Sequence, residues 1–425
     1  MDRCSLGHAA ARHRVLASGA ALLLALAAGR AVSAVPAPVS PAQQQLANIQ
    51  LPPGFRINLF AEGLGYARFA TVSPQGYLVV TSSSRAVAGQ GCSGADCVPN
   101  DGRVFILPDR DGDGVADEVI VFADGLDRPQ GLAYYRGDLY VGEYGRVVRL
   151  PDRDGDLRAD AVEVVVDHLP TKATSPTGHW QRNIAFGPDD KLYVGVGSSC
   201  NVCIEEDPRN ATILQYNADG SGERIFARGI RNPVGITIHP ATGELWATNN
   251  GRDLLGDDFP PEFVTVVRDG DHFGWPFCHV GVPDPDFAYL GDCTQTRAPT
   301  AFLPAHSAPL GLTFYTGQQF PAEYRGDLFV ALHGSWNRSR PQGYSLVRFP
   351  MRDGVPGPME TFASGWLTPE TPCANNPADL GNNVPVCRAD VWGRPVAPVV
   401  GADGALYLTD DRLGAVYRIS YVGAP

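Results

Sequence analysis

One short pattern recurs six times along these 425 residues and constrains the fold more than any other feature. A glycine or polar residue precedes a leucine that opens an aromatic or β-branched run. The copies are YLVVT from Tyr77, DLYVG from Asp138, KLYVGVG from Lys191, ELWAT from Glu244, DLFVAL from Asp327 and ALYLTD from Ala405. Each reads as a short buried strand, and most follow a turn signal such as Pro74-Gln75-Gly76 or Asp403-Gly404. The repeat leucines stand at 78, 139, 192, 245, 328 and 406. A unit of about fifty residues, longer in two cases, suits a four-stranded antiparallel blade. Six units predict an all-β, six-bladed β-propeller; a two-domain β protein with coincidental repeats is the alternative. A closed ring leaves no free sheet edge. Phe55–Ala61 (FRINLFA) and Ala415–Tyr421 (AVYRISY) are therefore expected to share the closing blade. Helical patterning is nearly absent, with one short turn of helix expected at Pro41 to Ala47.

The N-terminus reads as a processing segment. Arg3, Arg12 and Arg14 precede an apolar run from Val15 to Ala28, and Val32-Ser33-Ala34 forms a small-residue cleavage site. The expected layout is a removed signal peptide over 1–34, a linker over 35–50 and a single propeller domain over 51–425. The export signal predicts a periplasmic or secreted protein without stable membrane insertion. The formal net charge of -12 includes Arg3, Arg12, Arg14, Arg30 and Asp2 of that segment, so the processed chain is near -15. Such an acidic chain is a poor ligand for nucleic acid. Eight cysteines remain beyond Cys4, in close pairs: Cys92 with Cys97, Cys200 with Cys203, Cys278 with Cys293, and Cys373 with Cys387. In an exported chain these read as four short disulfide loops, two of them pinning the long insertions. Cys200-Asn201-Val202-Cys203 is followed by Ile204, so it is no c-type haem site, and two further zinc ligands are not evident.

Two Asp-rich loops could offer hard oxygens to Ca²⁺: Asp109, Asp111, Asp113 and Asp117, then Asp152, Asp154, Asp156 and Asp160. Neither matches a full EF-hand pattern. The first has Gly114 but Ile120 in place of the bidentate acid; the second has Glu163 there but Leu157 in place of the glycine. Solvated Asp/Gly turns are the other reading. Several blade-boundary motifs could converge on one face. His179 opens HWQRN, Arg231-Asn232-Pro233 presents a planar donor fork beside an amide, and Asn249-Asn250-Gly251-Arg252-Asp253 follows the fourth repeat strand. His333 lies in LHGSWNR, and Trp392 and Arg394 in WGRP. Together they suit a pocket for a flat anionic ligand. No GxSxG elbow, HExxH or Walker loop is present, and no GxGxxG stands before a helical pattern.

In GHWQRNIAFGPDDKLYVGVGSSCNVC, ARGIRNPVGITIHPATGELWATNNGRDLLGDD and LHGSWNRS, taken in order, the chain resembles the soluble pyrroloquinoline quinone (PQQ)-dependent sugar dehydrogenases. The likeness is greatest to the L-sorbosone dehydrogenase branch and runs from about Leu51 to Tyr421. It implies oxidation of an aldose or sugar aldehyde (sorbosone- or glucose-like), with PQQ and Ca²⁺ as cofactors. It further implies His179 as general base, with Gln130, Arg231 and Asn232 at the quinone. His333 would stand where the glucose-oxidising branch has a lysine, and Arg394 and Trp392 where it has an arginine pair. The main-chain carbonyls of Gly251 and Arg252 would hold the cofactor Ca²⁺. Electrons would leave to an external acceptor, a separate cytochrome, quinone or dye. Oligomeric state is not implied. A Ca²⁺-dependent hydrolase of lactonase type, with Asn232 and Asn249 as ligands, and a non-catalytic glycan- or protein-binding propeller stabilised by calcium are the alternatives.

Overall fold

A computed structural model describes residues 39–84, 100–171, 179–367 and 391–423. The expected signal peptide lies outside these residues. So do Cys92 and Cys97, and likewise Cys373 and Cys387, so two of the four expected disulfide loops fall outside the described structure. The described chain from Ser40 onward belongs to one compact unit. Six four-stranded antiparallel sheets succeed one another along it, as the repeats require. Blade 1 contains Ala67–Val72, Leu78–Ser82, Gly102–Leu107 and Ile120–Leu126; blade 2 contains Leu132–Tyr135, Asp138–Gly142, Val147–Leu150 and Glu163–Val166. Blade 3 runs from Ile184–Phe186 to Arg224–Arg228, blade 4 from Ile236–Ile238 to Ala301–Leu303, and blade 5 from Pro309–Phe314 to Glu360–Ala363. All six repeat leucines fall in the second strand of their blade and are buried. The first strands of successive blades touch around the ring, which places them at its centre.

Blade 6 takes Pro395–Val400, Leu406–Asp410 and Ala415–Tyr421 from the C-terminal end of the chain and Phe55–Ala61 from its start. The register pairs Phe55 with Tyr421 and Ile57 with Ile419. Phe55 then meets Phe320, Tyr324 and Phe362 edge-on, with centroids 4.7, 5.2 and 5.0 Å away, so the closing strand is also locked onto blade 5. The segment expected as a linker is part of this packing. Pro41–Gln45 is a short helix capped by Ser40, and Ala42, Leu46 and Ile49 pack into the same cluster.

A second regularity sits three residues after each repeat leucine. There Thr81, Thr248 and Thr409 donate to main-chain carbonyls of the next blade: Gln130 (2.7 Å), Leu310 (2.9 Å) and Arg68 (2.5 Å). Blades 2 and 3 have Gly142 and Gly195 instead, and a Cβ there would run into the carbonyl oxygens of Arg182 and Pro233. The repeat therefore seats five of the six blades on a neighbour by a hydroxyl bond or by close backbone approach, and Ala331 stands at this position in blade 5. The partner residues lie at the entry of the inner strands, where the site is found.

The Asp-rich loops join the outer two strands of blades 1 and 2. Ala116 N–H donates to Phe60 O (2.9 Å) and Ala159 N–H to Phe122 O (2.8 Å), so each loop is stitched to the preceding blade. Leu157 takes the left-handed conformation (φ 65°) where glycine was expected; its partly buried side chain packs against the blade 1–2 core, which offsets that cost.

Candidate active site

A cavity of about 270 Å³ is lined by residues that enter from blade boundaries all around the ring, among them Arg68, His179, Arg231, Asn232, Glu262, His333, Asn337 and Arg394. A larger, more open depression of about 1040 Å³ lies beside blade 3 at Cys203, Glu205 and Arg209. It contains none of the expected cofactor residues.

His179 precedes the first strand of blade 3. Its main-chain N–H and its Nδ1 both meet the Ser198 carbonyl oxygen at 3.0 Å. A carbonyl can only accept, so Nδ1 carries the ring proton and Nε2 keeps its lone pair. Ser198 Oγ lies 2.9 Å from Nδ1 and itself donates to Cys200 O at 2.6 Å. Burial of the ring, and then the charge of Arg231, hold the imidazole pKa well below its ordinary value. The ring is neutral at neutral pH. Arg182 braces the same segment by donating to the carbonyls of His179 (3.1 Å) and Gln181 (2.7 Å). Between His179 and Asn232 stands Gly197, where a Cβ would lie 2.6 Å from Asn232 Oδ1.

Arg231 is 3% exposed and fully occupied. Nε donates to Asn201 O (2.9 Å), Nη1 to Gly251 O (2.5 Å), and Nη2 to Asn201 Oδ1 and Asp253 Oδ2 (both 2.8 Å). Asp253 also accepts from Asn337 Nδ2 at 3.0 Å. Glu262, the first residue of its strand, accepts the Gly251 N–H. Burial, reinforced by Asp253, pushes its carboxyl up to about 8, so it holds a proton at neutral pH. The Arg252 side chain points elsewhere, into a cluster with Asp284, Asp286 and, through Asp284, His279. Only its main chain belongs to the loop proposed for Ca²⁺. Asn249 Oδ1 accepts the Asn232 N–H (3.2 Å), so it is engaged in the frame.

The opposite wall carries the other basic groups. His333 lines the cavity as a neutral ring: its Nε2 is 2.9 Å from both Asp411 oxygens, and burial with Arg394 brings its pKa to about 4. Positive charge comes instead from Arg68, which is 2% exposed and ion-paired to Asp411, and from Arg394. Arg394 donates to the carbonyls of His333 (3.1 Å) and Gly334 (2.7 Å). Burial alone would raise the Asp411 pKa, but His333, Arg68 and Arg394 together hold it below the usual carboxylate range. Gln130 is fully buried behind Arg68 and accepts its Nε–H at 3.0 Å; it does not line the cavity. Trp392 does not line it either. Its indole N–H is bonded to Gly365 O (2.6 Å) and its ring stacks near Trp366 in the closing core. With Glu262, His179 and His333 neutral, three guanidiniums and the Asp253 carboxylate line the cavity among the described residues, and Asp411 is buried behind Arg68.

Sequence reasoning missed Arg68, Asp411, Glu262 and Asn201. The Arg68 carbonyl accepts from Thr409 as the Gln130 carbonyl accepts from Thr81, an equivalence that the assembled blades reveal. The Asp-rich loops stay outside the cavity. In each, three carboxylates (Asp109, Asp111, Asp113 and Asp152, Asp154, Asp156) place one oxygen apiece within 4.8 Å of one another. Gly114 N–H and Leu157 N–H donate to Asp109 and Asp152 (3.0 and 3.2 Å). Glu163, expected as the twelfth-position acid of the second loop, is on a strand and bonded to Arg149 and Arg153. Of the expected disulfides, Cys200–Cys203 and Cys278–Cys293 are formed, while the pairing of Cys92 with Cys97 and of Cys373 with Cys387 falls outside the described residues. No helix among the described residues is long and apolar enough to cross a membrane.

A family model described as a domain of unknown function (DUF7133) matches residues 41–333, and one described as TrAA12-like matches residues 290–422. An uncharacterised protein of Borreliella burgdorferi is 34% identical over 239 residues, 55% of this chain and 58% of that one. A pyrroloquinoline quinone-dependent pyranose dehydrogenase of Coprinopsis cinerea is 32% identical over 245 residues, 48% of this chain and 32% of that one. The chain thus spans less than two thirds of either relative. The holo form of the pyranose dehydrogenase PQQ domain from Coprinopsis cinerea superposes with a TM-score of 0.66 at 21% identity, covering 88% of this chain and 97% of that one. That likeness establishes the propeller fold.

Proposed function

We propose that this chain, which belongs to the family described as a domain of unknown function (DUF7133), is a PQQ-dependent dehydrogenase that oxidises an aldose or a sugar aldehyde of sorbosone type. The observation that carries the reading is a neutral histidine with a free Nε2 in a cavity walled by Arg68, Arg231 and Arg394. A flat tricarboxylate calls for guanidinium donors and positive charge; Arg68 and Arg394 can supply both, and Arg231, whose donors are engaged within the protein, supplies charge. The Coprinopsis cinerea relative, a PQQ-dependent pyranose dehydrogenase, supports the same ligand. For Ca²⁺, the main-chain carbonyls of Gly251 and Arg252 are hard oxygen donors of the right kind, with the Glu262 and Asp253 carboxyls beside Gly251 and Arg231. Bound there, the quinone would supply a hydride acceptor and Ca²⁺ a Lewis acid at its carbonyl.

The chain's own part is positioning and proton transfer. His179 Nε2 accepts the proton of the substrate hydroxyl while Ser198 holds Nδ1–H, so the ring receives a proton without reorienting. An aldehyde supplies that hydroxyl as its hydrate or cyclic hemiacetal. Asn337 and Gln181 line the cavity, and their buried Oδ1 and Oε1 have no hydrogen-bond partner among the described residues, which leaves acceptors beside a ligand rich in hydroxyl donors. An external acceptor then takes the electrons.

Titrating the apo-protein with PQQ and Ca²⁺, then assaying dye reduction on a panel of aldoses and sorbosone, tests this directly. Bound-quinone absorbance and sugar-dependent dye reduction are expected. A protein that binds no quinone and reduces no dye across the panel would overturn the proposal.

A further inference from the structure

The Ser198–Cys203 loop reaches both halves of the cavity. Ser198 holds the ring of His179, and its own N–H donates to the Arg231 carbonyl at 2.8 Å. Asn201, inside the disulfide ring, makes five hydrogen bonds and aims four of them at Arg231 and Asp253. Its carbonyl accepts from Arg231 Nε (2.9 Å), and its Oδ1 accepts from Arg231 Nη2 (2.8 Å) and from the Asp253 N–H (2.9 Å). Its Nδ2 donates to the Asp253 carbonyl (3.2 Å), and Trp275 Nε1 adds a bond to its carbonyl (3.3 Å).

The assignment of the side-chain amide is forced by chemistry. A guanidinium and a backbone N–H can only donate, so the atom facing both is the oxygen. Arg231 and Asp253 lie thirty and fifty-two residues downstream, on the edges of blade 4. A single asparagine therefore aligns the guanidinium fork with the loop that carries Gly251. Only Asn201 and Val202 lie between the bonded cysteines, and so short a loop restricts the conformations open to Asn201.

From this geometry we infer that Asn201 is a positioning residue for the Arg231–Asp253 pair and that the Cys200–Cys203 disulfide acts on cofactor binding through it. The clip is thus a component of the binding site, beyond its contribution to the stability of the disc. The inference rests on the proposed cofactor. With Asn201 free to move, two of the five hydrogen bonds that hold Arg231 are loosened and the fork is no longer held in one plane.

The test uses the whole protein and reads PQQ binding in the presence of Ca²⁺ by quinone absorbance, with the melting temperature of the apo-protein measured in parallel. Asn201→Ala is expected to weaken PQQ binding by about 10- to 100-fold, the range for lost hydrogen bonds to a charged group. Asn201→Asp retains an oxygen facing Arg231 and is expected to return most of that affinity. The paired change Cys200→Ser with Cys203→Ser is expected to weaken binding as Asn201→Ala does, and adding Asn201→Ala to it should cost little more. A disulfide that only stabilises the disc would lower the melting temperature and give additive effects on binding. Wild-type affinity in Asn201→Ala, or additivity in the combined variant, overturns the inference. A wild-type protein that binds no PQQ overturns the functional proposal itself, so the two failures are distinguishable. If Asn201→Ala does not fold, Asn201→Asp and the cysteine variant decide between the same outcomes.

Discussion

Gly197→Ala is the smallest change that should disable the site. Gly197 does not have a positive φ, so alanine meets no backbone penalty there and the whole effect must come from contact. The added Cβ would sit 2.6 Å from Asn232 Oδ1 and 3.1 Å from His179 Cγ, and closer still to His179 Cβ. Carbon atoms rest about 3.5–4.0 Å apart, so relief needs a displacement of roughly 1 Å. No rotamer change moves a Cβ, and Asn232 is 3% exposed with little room to turn. The backbone at His179 must therefore shift. Overpacking of this kind costs about 1–3 kcal/mol, a modest fall in melting temperature for a unit of this size. A reacting group misplaced by about 1 Å costs on the order of 100-fold in rate. Dye-reduction kinetics should thus show kcat falling by about that factor while the protein remains folded by circular dichroism. Wild-type kcat in Gly197→Ala would refute the reasoning, because it would mean that the packing of His179 against Asn232 does not set the geometry of the reaction.

The pH profile offers a second check. Burial and Arg231 depress the His179 pKa, so the neutral base persists as pH falls through 6.5, and kcat/KM should decline only well below that value. An acid limb at or above pH 6.5 in stopped-flow or steady-state assays would contradict the assignment. A third prediction concerns the wall opposite. Asp411→Asn leaves the 2%-exposed Arg68 without its carboxylate, which should destabilise the protein by about 3–5 kcal/mol in denaturant unfolding. In the wild type this carboxyl sits below its ordinary pKa, so its contribution is full above about pH 4 and is lost as pH falls through the lowered value. A variant as stable as wild type would show that Arg68 finds another partner.

The repeat strands, the ring closure and the short N-terminal helix were legible because each is a local statement. Alternating burial, a turn signal and a leucine at a fixed place are written within about ten residues, and Leu78, Leu139 and Leu406 needed no knowledge of distant chain to be placed. His179, Arg231 and Asn232 were found through motif likeness and do share the cavity. Tertiary contacts settled the rest. Whether Arg252 turns inward or toward Asp284, whether His333 is a cation or a neutral partner of Asp411, and whether Trp392 reaches the cavity or the closing core all depend on residues dozens of positions away. Asn201 was visible only as the interior of a cysteine pair, and Arg68 only as part of a strand. The sequence alone determined the blades, since strand period and turn chemistry are short-range. Only the assembled ring decided which atoms meet at its centre, because burial and charge at each wall are set by neighbours contributed from other blades.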